Sequence, residues 1–308
     1  MERIQPVDAR ILTEQIDPRY VDMDSWSTPK MVAAMYEGQR TAVSAVQPAL
    51  GAIACAIDDA VEALRRGGRI VYVGAGTSGR LGVLDGAELL PTFNWPADRV
   101  VFLMAGGTSA LTESAEGAED NVEDGSLAIA SAKIDNDDVV ICLAASGTTP
   151  YTLGALRAAS GAGAVTIAIA SNPDAPLLNS AKHPILIETG SEAIAGSTRM
   201  KAGTAQKIAL NLISTAVMVK LGRVYRGLMV QMRATNQKLM RRAELIVGEI
   251  TDCSQADAAR FVQEARGDVK RAVLLAFGAT GAQATDLLER HDGNLRAAIA
   301  SIAGKHDG

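Results

Sequence analysis

The stretch VYVGAGTSGRLGVLDGAELLPTF (71–93) sets an apolar, β-branched run before a glycine-rich turn and places two carboxylates behind it. Similar short runs follow downstream. RIVYVG (69–74), RVVFLMAG (99–106), DVVICLAASG (138–147) and AVTIAIASN (164–172) each end in Gly, Ser, Thr or Asn, and the intervals between them are long enough for helices. That alternation predicts an α/β fold around a buried parallel sheet, with HPILIE (183–188) as a further strand. In GAIACAIDDAVEALRRGG (51–68), Ile53, Ile57, Ala60, Val61 and Leu64 recur at helical spacing before Gly67 and Gly68 stop the helix. Upstream, Thr28 is expected to cap a helix that Pro29 opens. MKAGTAQKIALNLISTAVMVKL (200–221) reads as one long, mostly buried helix.

After about residue 240 the texture changes to short pieces, SQADAARFVQEARG, DVKRAVLLAFG, TGAQATDLLERHDG and NLRAAIASIAG, each one small helix long and ending at a glycine. The expected organisation is an N-terminal arm with helices over 1–50, the sheet domain over 51–240 and a helical subdomain over 241–308. Nearly half of the 308 residues are hydrophobic, enough for a substantial core, and the net charge of -5 comes without any basic cluster, which argues against a nucleic-acid surface. No run of about 18 apolar residues and no signal-peptide pattern occurs, so a cytoplasmic location without membrane contact is expected. Cys55, Cys142 and Cys253 are odd in number and lack paired spacing; buried free thiols are expected, with no disulfide framework and no metal site.

The segment Gly74-Ala75-Gly76-Thr77-Ser78-Gly79 satisfies GxGxxG between a strand and a helix, as a dinucleotide site requires. Such a site also wants an acid at the end of the next strand, where Ala105-Gly106-Gly107 stands instead. What remains is Thr77 and Ser78 beside free N–H groups at a helix start, a setting for a terminal phosphate. A second loop, Ser146-Gly147-Thr148-Thr149-Pro150, has the same character. Two such loops on neighbouring strands can share a phosphomonoester, and neither carries the GK[ST] of a Walker site. A sugar phosphate is the expected ligand, with no cofactor.

The segments VGAGTSGRLGVLDGAELLPTF, AEGAED (115–120), AASGTTPY (144–151), GSTRMKAGTAQK (196–207) and LMVQMRATNQKL (228–239) resemble, in order, those of the N-acetylmuramic acid 6-phosphate etherases of the sugar isomerase (SIS) superfamily. Thr148 replaces the arginine common in the second loop, so that loop supplies no cation, and Gln231 stands where an acid is usual. The resemblance implies a flavodoxin-like α-β-α SIS domain, a small UBA-like helical subdomain, a homodimer, and a carbon–oxygen lyase acting in cell-wall amino-sugar recycling. It further implies that the enzyme removes D-lactate from C3 of N-acetylmuramic acid 6-phosphate, leaving N-acetylglucosamine 6-phosphate.

Cleaving that ether by elimination calls for two carboxyl groups in opposite roles and no metal. By the resemblance, Glu88 is the proton donor to the departing lactate and Glu119 the base at C2. Gly76, Thr77, Ser78, Ser146, Gly147, Thr148, Thr149 and Glu192 are expected to hold the sugar phosphate. Asp85, Glu116 and Asp120 read as capping acids, His183, His291 and His306 as structural or solvated. Arg199 and Lys201 suit either an anion or a cap, and Arg80 either an anion or a surface stem. The rival readings are an aldose–ketose sugar-phosphate isomerase and a non-catalytic sugar-phosphate sensor, with a dehydrogenase disfavoured by the missing acid.

Overall fold

A computed structural model describes residues 11–113, 115, 117–232, 234 and 236–303. Glu116, His306 and the first ten residues of the expected N-terminal arm lie outside the described residues. Along the chain come α1 (Thr28–Ala45), α2 (Leu50–Arg65), β1 (Ile70–Gly74), α3 (Gly76–Ala87), α4 (Leu89–Phe93), β2 (Val100–Met104), α5 (Val122–Ser131), β3 (Val139–Leu143) and α6 (Pro150–Gly161). They are followed by β4 (Val165–Ala170), α7 (Pro176–Ser180), β5 (His183–Leu186) and α8 (Lys201–Lys220). A two-stranded hairpin of β6 (Val224–Tyr225) and β7 (Leu228–Met229) then leads to α9 (Gln237–Thr251), α10 (Gln255–Glu264), α11 (Val269–Ala276), α12 (Gly281–Arg290) and α13 (Leu295–Ala303).

The five predicted strands all form, and every pairing in their sheet is parallel, in the order β2-β1-β3-β4-β5. Strands β1, β3 and β4 are buried along their whole length, which is why they read as continuous apolar runs. α2 packs on β4 and β5 through Ile53, Ile57, Ala60, Val61 and Leu64. α1 begins at Thr28, with Ser27 rather than Thr28 in the capping position. By length and composition the helical stretch Thr28–Arg65 is apolar enough to cross a membrane, although a short 3₁₀ turn at Gln47–Ala49 divides it and α2 spends its apolar face on the sheet. Of the cysteines only Cys142 is buried, and burial pushes its thiol pKa far up; Cys55 is exposed, contrary to expectation, because it faces away from the sheet side of α2.

The molecule forms two compact units: Met1–Ala87 with Ala97–Ser214, and Glu88–Pro96 with Thr215–Gly308. The division therefore falls inside α8 rather than near residue 240. The reason is packing: Tyr225 and Val230 of the hairpin share one apolar core with Ile246, Val247, Val262, Leu274 and Leu287. The four short helices of this second unit follow the predicted pieces, and Gly267, Gly278 and Gly293 separate them in left-handed conformations.

One charged pair sets the register of the sheet's centre. Asp138, 1 % exposed, accepts from the backbone N–H of Arg69 at 2.8 Å and from its guanidinium Nη2 at 2.5 Å. Since Ile70 pairs with Val139 and Gly74 with Leu143, fixing the N-terminal ends of β1 and β3 leaves their C-terminal ends level. Burial alone would raise the Asp138 pKa, but the Arg69 contacts outweigh it and hold the carboxyl below its ordinary value. A carboxyl depressed on folding stabilises the fold above the unfolded pKa of about 3.9, and the contribution disappears as pH falls through the depressed value. Asp138→Asn is accordingly expected to cost roughly 2–3 kcal/mol in urea melts at pH 7, the partly exposed Arg69 keeping the loss below that of a fully buried pair. The gap from wild type should narrow below about pH 4; a constant gap down to pH 3 would show that the pair carries no such load.

Candidate functional site

The sheet order makes β1 and β3 neighbours whose connections leave in opposite directions, so their C-terminal ends flank a crevice of the kind where α/β folds bind ligands. The first loop enters α3 directly after Gly74. A methyl at Gly74 would stand 2.9 Å from Gly79 Cα, and one at Gly79 would stand 2.8 Å from the Gly74 carbonyl oxygen. The helix thus lies on the strand backbone to backbone, and its positive N-terminal end opens at the sheet edge. The second loop enters α6 at Pro150; Thr149 occupies the capping position without a side-chain bond to the helix.

A cavity of about 370 Å³ opens beside the first loop, lined by Gly76, Thr77, Arg80, Ala105, Gly117 and Glu119 among others. Among its described lining residues, Arg80 is the one cation and Glu119 the one carboxylate. Glu119 is exposed on a single 3₁₀ turn, Ala118–Asp120, directly ahead of Asn121, whose side chain caps α5. Gly125 of α5 lies against the Tyr151 carbonyl and Gly154 of α6 against that of Val122, leaving no space for a Cβ at either. Glu119 therefore sits on a turn that leads directly into a helix locked to the one that begins at the second loop.

Arg80 resolves to a clamp. Its Nε donates to the Ala110 carbonyl at 3.0 Å and its Nη2 to that of Glu113 at 2.9 Å, fastening the segment ahead of Glu119 to α3. Ser78 donates to Gln206 Oε1 at 2.9 Å. Two turns on, the buried Asp85 accepts from Tyr72 at 2.8 Å, Asn211 at 2.9 Å and Ser214 at 3.1 Å, so α3 and α8 are pinned at both places. Burial raises the Asp85 pKa against these three donors. Asp85 is a buried junction, not the cap its position suggests.

In the second loop, Ser146 Oγ accepts from the Thr148 N–H at 3.2 Å and the Thr148 hydroxyl at 3.1 Å, while Gly147 adopts a φ of +71°. Asn172, at the end of β4, donates to the carbonyls of Ala145 and Ser146 and accepts from the Thr13 N–H at 3.2 Å. These loop residues share the crevice edge but are not among those lining the cavity.

Glu192 departs from expectation. It is wholly buried, and its two oxygens accept the N–H groups of Lys201 and Ala202, both at 2.9 Å. A carboxylate at the positive end of α8 satisfies two otherwise open donors, which leaves it no face for a sugar. Lys201 is buried too, its Nζ on the Thr189 carbonyl at 2.8 Å and its pKa lowered by burial, whereas Arg199 is exposed. His183 meets Asp59 at 2.9 Å and His291 meets Ser301 at 2.8 Å, both structural contacts. Glu88 is exposed at the start of α4 and belongs to the second unit, Glu119 to the first. Gln206, Asn172 and Thr13 escaped the sequence reading; only the polar Asn ending an apolar strand was a signal.

Residues 52–160 match the family described as the glucokinase regulatory protein N-terminal SIS domain, and residues 110–216 match the SIS domain family. The chain is 50% identical over 285 residues to an N-acetylmuramic acid 6-phosphate etherase of Deinococcus radiodurans, covering 92% of this chain and 93% of that protein. It is 45% identical over 290 residues to the protein of the same name from Salmonella agona, covering 94% of this chain and 98% of that one. Among solved structures, a phosphoheptose isomerase from Francisella tularensis aligns with a TM-score of 0.47 at 16% identity, over 63% of this chain and all of that one.

The Arg80 clamp predicts a local effect. Arg80→Met removes two bonds from a charged donor, each worth roughly 1.5 kcal/mol or more, so amide exchange across 108–113 should accelerate at least tenfold or so. Exchange in β1 should stay unchanged. Equal protection of 108–113 in variant and wild type would show that Arg80 does not hold the segment.

Proposed function

Because the chain belongs to the N-acetylmuramic acid 6-phosphate etherase family, we propose that it cleaves the lactyl ether at C3 of N-acetylmuramic acid 6-phosphate, yielding N-acetylglucosamine 6-phosphate and D-lactate. The observation that carries the reading is the cavity lined both by Glu119 and by the loop at the N-terminus of α3. That helix end suits the phosphate, with the Ser146, Thr148 and Thr149 hydroxyls at the neighbouring strand end as a second set of ligands.

In the open-chain sugar the aldehyde acidifies the C2 hydrogen. Glu119 takes that proton first, leaving an enolate, whose electron pair then forms the C2–C3 double bond as the C3–oxygen bond breaks. Glu88 protonates the departing lactate oxygen. Water then adds at C3 of the unsaturated aldehyde and a proton returns to C2, so one water is consumed and no electrons are gained or lost. The acid must be protonated while the base is ionised, a division that two carboxyl groups can achieve when their surroundings differ.

The enzyme is then a carbon–oxygen lyase of cell-wall amino-sugar recycling, working in the cytoplasm on a sugar phosphate without a cofactor. A homodimer fits the exposed apolar stripe of Val32, Tyr36 and Val43 on α1 and the nearby Leu50. Turnover in heavy-oxygen water tests the chemistry. Elimination puts the label on C3 of the sugar and none in lactate, because lactate keeps the ether oxygen. Label in the lactate hydroxyl would mean attack on the lactyl carbon, and absence of lactate would leave an isomerase or a sensor.

A further inference from the structure

Glu88 precedes α4, a helix of only five residues, too short to hold its own geometry. What holds it comes from the far end of the chain. At its C-terminus, Arg223 Nη1 donates to the carbonyls of Phe93 and Asn94, both at 2.8 Å. The guanidinium also lies over the indole of Trp95, 4.7 Å from the ring centroid, and Trp95 is 1 % exposed. A cation on the last carbonyls of a helix satisfies open acceptors and complements the dipole, and the aromatic face adds a second attraction. Asn94, at a φ of +51°, turns the chain so that Trp95 can donate back to the Leu89 carbonyl at 3.2 Å.

Arg223 is in turn fixed by the backbone around it in the second unit. Its N–H donates to the Met218 carbonyl and its carbonyl accepts from Val230, each at 3.1 Å. Gly222, beside it, has a φ of +72°, and a Cβ there would come within 3.3 Å of Asn294 Cα and of the Gly293 carbonyl oxygen. That same carbonyl accepts from Lys270 Nζ at 2.5 Å. Lys270 is pushed down to about 8, first by burial and then by the positive charge of Arg223. A continuous set of contacts thus runs from the α11–α13 bundle through Arg223 and Trp95 to the helix that Glu88 begins.

We propose that Arg223, with Trp95, is a positioning residue for Glu88, and that the C-terminal helical unit serves the reaction by setting the place of its acid. The proposal rests on the reading of Glu88 as proton donor. A displaced acid slows protonation of the leaving oxygen but leaves phosphate binding and proton removal from C2 untouched, and a misplacement of about 1 Å can cost a hundredfold.

The test measures lactate release and exchange of the C2 hydrogen of N-acetylglucosamine 6-phosphate with deuterated water, in Arg223→Met, Arg223→Lys and Glu88→Gln full-length enzymes. Arg223→Met should lower kcat for lactate release by roughly ten- to a hundredfold, with KM within about twofold of wild type and C2 exchange retained. Arg223→Lys, with a single ammonium in place of the fork, should fall between. Release and exchange lost together, or kcat unchanged in both Arg223 variants, overturn the proposal. Should Arg223→Met not fold, Arg223→Lys carries the same split of kcat against exchange, and full kcat there is the overturning result. Glu88→Gln separates the two ideas: full release by it removes the acid reading itself, whereas lost release beside unaffected Arg223 variants leaves that reading standing and the positioning claim refuted.

Discussion

Between Gly74 and Gly79 there is no room for a methyl group, and the arrangement of the crevice depends on that contact. A helix that touches its strand backbone to backbone cannot rotate or slide without opening a void or a clash, so the first turn of α3 is held at the sheet edge. The same face of α3 continues with Gly82 and Gly86, which let Tyr72, Leu143 and Phe102 fill the space beneath it. A helix with so many glycines has poor intrinsic propensity, each costing about 1 kcal/mol against alanine. Tertiary contact must offset that cost, and the contacts that do so are the ones that place the N-terminal end of α3.

Polar junctions then tie the second layer to the first. Asp85 gathers donors from β1 and α8, and Ser78 reaches Gln206 on the same face of α8. A buried carboxylate without donors would cost several kcal/mol, so a cluster of this kind tolerates only one mutual placement of its elements. Glu192 acts similarly at the other end, where its carboxylate fixes the start of α8. Arg80 and the α5–α6 glycine crossing extend the constraint to Glu119, whose own turn is short and exposed.

The strands and the turns that lead from them into helices were legible because their signals are local: a β-branched run, a hydroxyl-bearing glycine turn, and a helical segment directly after it. The role proposed for Glu119 comes only from the resemblance, since an exposed glutamate on one 3₁₀ turn carries no periodicity. Glu192 was misplaced for a different reason: its partners are backbone N–H groups nine and ten residues on, and nothing in SEAIAGSTRMK distinguishes a capping carboxylate from one that faces a ligand. The Asn172–Thr13 and Ser78–Gln206 pairs join residues more than a hundred positions apart, beyond any reading by spacing. The compact units are hard to read from the sequence likewise, because β6 and β7 have only two residues each and Glu88–Pro96 groups with a segment that begins more than a hundred positions on.

The central claim is that the crevice between the ends of β1 and β3 holds the sugar phosphate with its C2 hydrogen toward Glu119. A crystal structure of the protein bound to N-acetylglucosamine 6-phosphate tests it most directly. The account predicts the phosphate among the N–H groups and hydroxyls of the loops at 76–78 and 146–149, with a Glu119 carboxylate oxygen within about 3.5 Å of C2. A phosphate bound away from both helix ends, or a sugar whose C2 faces away from Glu119, would contradict it.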